Sequence, residues 1–254
     1  MVPLVQFAVC FLILLWLLKR KTGEPYSPKT VAKFVLFGAL SAILTFVLAF
    51  VLPLDRETFF GMNPILSGFL TALITASLLE EVLKYILFRL AVRKNREVVC
   101  WQDAVIAAVA VAIGFTLLED LTYLFDGSGS IVRAVIPAHL LFQAIMGYYY
   151  GKARITKKAR YDVLSLVVPI LWHTAFDMFL IGLISIVGDV NALSGLTEEA
   201  FTTLPYGNYM VPMLICAIVI IVITLVALIV MLRKIGVWSK NGEKQERLTE
   251  EETA

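Results

Sequence analysis

A small set of ionisable residues interrupts stretches of sequence that are otherwise apolar. They are Glu80, Glu81 and Lys84, then Glu119 and Asp120, then His139, then His173 and Asp177. Charged groups in such surroundings are costly, so they mark function or pairing. Glu80 and Lys84 are four residues apart, as are Phe115 and Glu119, and His173 and Asp177. On a helix each of these pairs shares a face. Carboxylates with imidazoles suit general acid–base work on water: a Glu takes the proton, and a His donates to an oxyanion or leaving group. The same residue types bind zinc through imidazole nitrogen and carboxylate oxygen, with one position left for water. Either route puts an activated water in a dry site, which means hydrolysis. Intramembrane Glu, His and Lys are also the parts of a proton relay, so a proton-coupled transporter is the rival reading. An inverted repeat and a helix broken by Gly or Pro at the site would favour that rival, and the sequence shows neither. Pairs that only fix helix packing would leave the same spacing.

The elements that carry these residues are hydrophobic enough to cross a bilayer. The chain has 254 residues, of which 59% are hydrophobic and 17% charged, against roughly 25% charged in soluble domains. A soluble enzyme, a disordered protein and a nucleic-acid binder are excluded. Seven apolar runs each suit a spanning helix: Val2–Leu18, Val31–Leu54, Ile65–Val92, Ala104–Phe125, Ile131–Gly151, Val163–Val187 and Tyr209–Leu232. The expected fold is an all-α, polytopic bundle of about seven transmembrane helices in the cell membrane. It forms one membrane domain over 1–238, with 239–254 as a disordered, charged cytoplasmic tail.

Charge sets the expected orientation. Of 22 Lys and Arg, those in Lys19–Lys33, Arg89–Arg96, Lys152–Arg160 and Arg233–Arg247 fall on one side. Only Arg56 and Arg133 fall on the other, and Lys84 lies within a helix. The positive-inside rule then places the N-terminus outside and the C-terminus inside. The loop Gly188–Asn208 is the long outer connection. At 1.5 Å per residue, Glu80 lies roughly 20 Å above Arg93, His173 roughly 16 Å above Asp162, and Glu119 roughly 27 Å above Trp101. His139 is expected roughly 12 Å below the outer end of its helix. All fall between the midplane and the outer third, so one cluster there is expected. Gly147 and Gly151 form a GxxxG packing motif. Trp101 and Tyr148–Tyr150 read as interfacial residues. Cys10, Cys100 and Cys216 form neither a disulfide framework nor a metal-ligand spacing.

Four short motifs on consecutive helices carry a family resemblance. Glu80-Glu81-Val82-Leu83-Lys84 resembles the EExxK motif of the PrsW family of membrane proteases. Phe115-Thr116-Leu117-Leu118-Glu119 resembles its FxxxE motif, and His139 and His173-Thr174-Ala175-Phe176-Asp177 resemble its two histidine motifs. The resemblance covers roughly Ile65–Phe179. The wider superfamily includes CAAX-processing and bacteriocin-immunity proteases. Those more often have Arg after the Glu pair and His where Glu119 stands, and they form the alternative assignment. Asp120 departs from the pattern, where Asn is common.

The resemblance implies a membrane-embedded endopeptidase acting on membrane proteins or membrane-associated peptides near the outer half of the bilayer. PrsW-like members are linked to site-1 cleavage of an anti-sigma factor. It implies a catalytic set of Glu80, Glu81, Lys84, Glu119, His139, His173 and Asp177. Glu80 is the first choice for activating water, Lys84 orients or neutralises the Glu pair, and Asp177 orients His173. A metal site would draw on His139 and His173 with Glu80, Glu81 or Glu119, and zinc suits that mixture. A metal-free glutamate mechanism is the other option. It is favoured on charge alone, because Lys84 and one protonated carboxyl already balance the pair. The expected partners are a membrane-borne substrate and the lipid bilayer, with no nucleic acid.

Overall fold

The structure is a computed structural model that describes residues 2–21, 24–52, 59, 62–126, 137–187 and 206–240. The described residues are helical, with short connections and no strand. The helices are α1 (Val2–Leu18), α2 (Pro28–Val51), α3 (Pro64–Val92), α4 (Trp101–Asp126), α5 (Ala138–Thr156), α6 (Ala159–Val187) and α7 (Met210–Lys240). α2, α3, α4, α6 and α7 are long and apolar enough to cross a membrane. α1 is shorter, and α5 carries Lys152 and Arg154 and is buried over most of its length. The protein is a multi-pass membrane bundle in which α5 is sheathed by its neighbours. The exposed side chains of α1, α2 and α7 are large and apolar, including Leu36, Phe50, Ile215 and Val222, as a lipid-facing surface requires.

Local chemistry sets the helix ends. Ser27 caps α2 by accepting from the Thr30 N–H, with Pro28 in the first turn. Asn63 caps α3 by accepting from the Ile65 N–H, with Pro64 in the first turn. The fifth element departs from its expected bounds. It begins at Ala138 rather than Ile131: Pro137 takes the cap position, where its missing N–H breaks no helix hydrogen bond. Residues 131–136 lie outside the described residues. So do 188–205 of the outer loop and 241–254 of the tail, while α7 continues to Lys240, two residues into the expected tail.

α4 runs through the middle of the bundle, buried from Ala104 to Thr116. Small residues admit its neighbours. A Cβ on Gly38 of α2 would run into the Val111 carbonyl, and one on Gly114 of α4 into the Val35 carbonyl. Gly147 and Gly151 seat α5 on Ala104 and Trp101 in the same way, so the GxxxG motif is a packing device. At the basic end, the connection from α3 to α4 is tied to α2. Glu97 accepts from the Ser27 backbone N–H and hydroxyl at 2.7 Å each and from Thr30 Oγ1 at 2.8 Å. Burial pushes the Glu97 carboxyl up, but these donors outweigh it and hold the group below its ordinary value.

Candidate active site

α3 is not regular where it meets the site. Residues Ala72–Ser77 form a π turn, in which the Leu78 N–H bonds the Leu73 carbonyl. Such a turn adds one residue and shifts the register of the helix beyond it. The segment before it packs on α6, where a Cβ on Gly68 would strike the Met178 carbonyl and one on Gly182 would lie 2.6 Å from the Pro64 carbonyl. The segment after it turns Glu80, Glu81 and Lys84 inward, all buried.

These groups converge with α4, α5 and α6. Lys84 Nζ lies 2.9 Å from Glu80 Oε2, 2.9 Å from Glu81 Oε1 and 3.1 Å from His139 Nδ1. An ammonium only donates, so His139 Nδ1 accepts and its proton sits on Nε2. Nε2 then donates to Glu119 Oε2 at 2.9 Å. His173 lies between two carboxylates, with Nδ1 at 3.1 Å from Glu81 Oε1 and Nε2 at 3.1 Å from Asp177 Oδ2. Carboxylates only accept, so in this arrangement both ring nitrogens of His173 donate.

The two carboxylates of the pair differ. Glu81 is completely buried and receives Lys84 and His173 on Oε1 and Gln143 Nε2 on Oε2, the last at 2.8 Å. Glu80 receives Lys84 alone, on Oε2, and keeps a small exposed edge. Glu81, and not only Glu80, therefore lies at the centre. His139 differs from its expected place: it stands in the first turn of α5, not deep within a span, because that helix starts at Ala138. Asp120 is buried and is not one of the four residues that could hold a metal.

Aromatic rings pack this cluster. Phe115 meets the Lys84 ammonium at 3.6 Å from its centroid and the edge of His139 at 5.1 Å. Phe142 stacks on His173 at 4.8 Å. Phe142 and Gln143 were not among the expected site residues. Their signal is their spacing, three and four residues after His139 and so on its face of α5.

Glu80, Glu81, His139 and His173 each offer one ligand atom, and these atoms lie within 4.8 Å of one another. Two imidazoles and two carboxylates from three helices are a donor set that suits a divalent transition metal. The Gln143 Oε1 atom is buried with no hydrogen-bond partner, which leaves acceptor capacity beside Glu81 for a water.

Comparison with known proteins gives the family. The sequence pattern of the PrsW family intramembrane metalloproteases matches residues 26–231. The chain belongs to this family. It is 30% identical over 160 residues to Protease PrsW of Clostridioides difficile, covering 58% of this chain and 66% of that one. It is 32% identical over 153 residues to Protease PrsW of Bacillus subtilis, covering 57% and 67%. It is 31% identical over 179 residues to Protease PrsW of Geobacillus kaustophilus, covering 68% and 76%. The matched stretch thus spans about two thirds of the length of the first two relatives. No solved structure matches the chain. Membership of the PrsW family extends the likeness beyond the four central helices that carry the motifs, to α2 and most of α7.

Proposed function

We propose that the chain is an intramembrane endopeptidase that cleaves membrane proteins or membrane-associated peptides near the outer half of the bilayer. The observation that carries this reading is the unequal saturation of the Glu pair. Glu81 has every oxygen engaged, whereas Glu80 has one oxygen uncommitted beside an edge that solvent reaches. Glu80 holds the attacking water on that oxygen and takes its proton. Lys84 keeps both carboxylates oriented, and Gln143 holds Glu81. In the metal-free route His173, kept in place by Asp177 and Phe142, turns one of its two N–H groups from its carboxylate to the developing oxyanion or the leaving amine. Glu119 fixes the tautomer of His139.

The family's description as metalloproteases favours the metal-dependent route over the metal-free one. Glu81, His139 and His173 would hold the ion and leave Glu80 to the water, with Glu119 and Asp177 supporting the two imidazoles. Zinc is the metal this mixture fits best, and bound there it supplies Lewis acidity and lowers the pKa of water. The orientation is N-terminus out and C-terminus in, supported by the lopsided distribution of Lys and Arg. An anti-sigma factor is a substrate of the right kind: a membrane protein cut on its outer side.

The test is reconstitution of purified protein in liposomes with a membrane-anchored candidate substrate. Cleavage that a chelator abolishes and zinc restores is the expected result. Cleavage that persists in chelator supports the metal-free route. Proton flux without cleavage contradicts the protease reading.

A further inference from the structure

We propose that the Lys84 ammonium is a built-in counter-cation that competes with a divalent metal for the same side chains. The inference rests on the metal reading of the site given above. Lys84 is fully buried, and its three N–H groups are all committed, to Glu80, Glu81 and His139. Those partners are three of the four residues that converge as a ligand set. The fourth, His173, is reached through Glu81 Oε1, the same oxygen that Lys84 holds. The lysine therefore occupies the middle of the donor set.

Its distances are those of an ammonium. The Glu80 and Glu81 oxygens stand 2.9 Å from Nζ, whereas zinc draws its nitrogen and oxygen ligands to roughly 2.0–2.2 Å. Zinc held by the same side chains would draw them closer than the ammonium does, into space that the ammonium holds. An ammonium cannot ligate a metal, and two cations in one dry cradle repel strongly. Metal entry therefore requires Lys84 to give up the partners that the ion takes. The Phe115 face, already against the ammonium, supplies attraction that does not depend on the carboxylates. Without metal the same lysine supplies one compensating charge to the two adjacent carboxylates.

The experiment uses full-length protein in detergent, stripped of metal and titrated with zinc chloride. Affinity comes from calorimetry, metal content from elemental analysis, and zinc-induced stabilisation from thermal unfolding. Lys84→Met removes the charge and keeps the stem, and Lys84→Gln keeps a neutral donor. Both variants are expected to bind zinc at least tenfold more tightly than wild type and to gain more in Tm on zinc addition. Equal or weaker zinc binding in both variants overturns the proposal, since it would make Lys84 a support for the metal.

The two claims separate in this design. Zinc in the variants but none in wild type supports the competition and contradicts a metal-loaded native enzyme. Zinc in wild type with weaker binding in the variants does the reverse. Zinc in neither sinks both. Should Lys84→Met fold only when zinc is present, that is the expected competition in its extreme form. Failure of both variants to fold even with zinc overturns the proposal, because the ion would then not replace the ammonium.

Discussion

Gln143 Nε2 donates to Glu81 Oε2 at 2.8 Å, and this bond joins α5 to the centre of the site on α3. It completes the saturation of Glu81 and so leaves Glu80 as the less occupied carboxylate. Replacing Gln143 with Leu removes one donor from a buried charge, which costs about 1.5–3 kcal/mol. Activity is expected to fall about 10- to 100-fold while the protein still folds. Gln143→Glu places a second carboxylate against Glu81 and is expected to be worse. Proteolysis by both variants, measured beside their thermal unfolding, checks the assignment.

How much of the site was legible in the sequence varies by residue. The i,i+4 pairs Glu80–Lys84 and His173–Asp177 are visible as spacing, and both form as ion pairs. The apolar runs mark the helices, but among the described residues only five of these are long and apolar enough to cross a membrane. The place of His139 was not legible from hydropathy, because apolar residues precede Pro137 and only the proline marks the true start. Glu81 was legible as one of the Glu pair, but not as its saturated member, because its direction depends on the π turn at Ala72–Ser77, which has no Gly or Pro to announce it. Gln143 is one of several polar residues in a helix, and it acquires a role only when α3 places Glu81 opposite it. The reciprocal contact of Gly38 with Gly114's helix is long-range, and nothing local in either stretch names its partner.

That contact gives a stability prediction. A Cβ at Gly38 meets the Val111 carbonyl, which is backbone and cannot step aside as a flexible side-chain end would. Gly38→Ala is expected to separate α2 from α4 and to cost about 1–3 kcal/mol. Gly114→Ala is expected to behave alike, through the Val35 carbonyl. Thermal unfolding in detergent reads both. Wild-type Tm in either variant would contradict the close approach of these helices.

The Glu97 clamp gives a pH dependence. Its carboxyl is held below the ordinary value of 4.5 in the folded state, chiefly by Ser27 and Thr30 working against burial. A depressed folded value contributes stability above the unfolded value, and that stability is lost as pH falls through the folded one. Glu97→Gln is therefore expected to lower Tm at neutral pH, with the gap to wild type narrowing below the ordinary glutamate range. A gap of constant size from neutral pH down through that range would show that the charge of Glu97 does not matter.

Orientation has its own test. With N-terminus out and C-terminus in, the 188–208 connection faces the exterior. Ser194→Cys, in a background lacking Cys10, Cys100 and Cys216, should react with an impermeant maleimide in intact cells. Labelling that appears only after lysis would reverse the topology.

In the proposed mechanism Glu80 is the group that activates water. The direct measurement is cleavage of a reconstituted membrane substrate by Glu80→Gln beside wild type and Leu78→Ala. The amide keeps the shape of the side chain and cannot take the proton. A loss of about 10²- to 10⁴-fold is expected for Glu80→Gln, the range of general-base catalysis. Leu78→Ala, an exposed apolar truncation two residues away, should change cleavage little. Near wild-type cleavage by folded Glu80→Gln would contradict this role for Glu80.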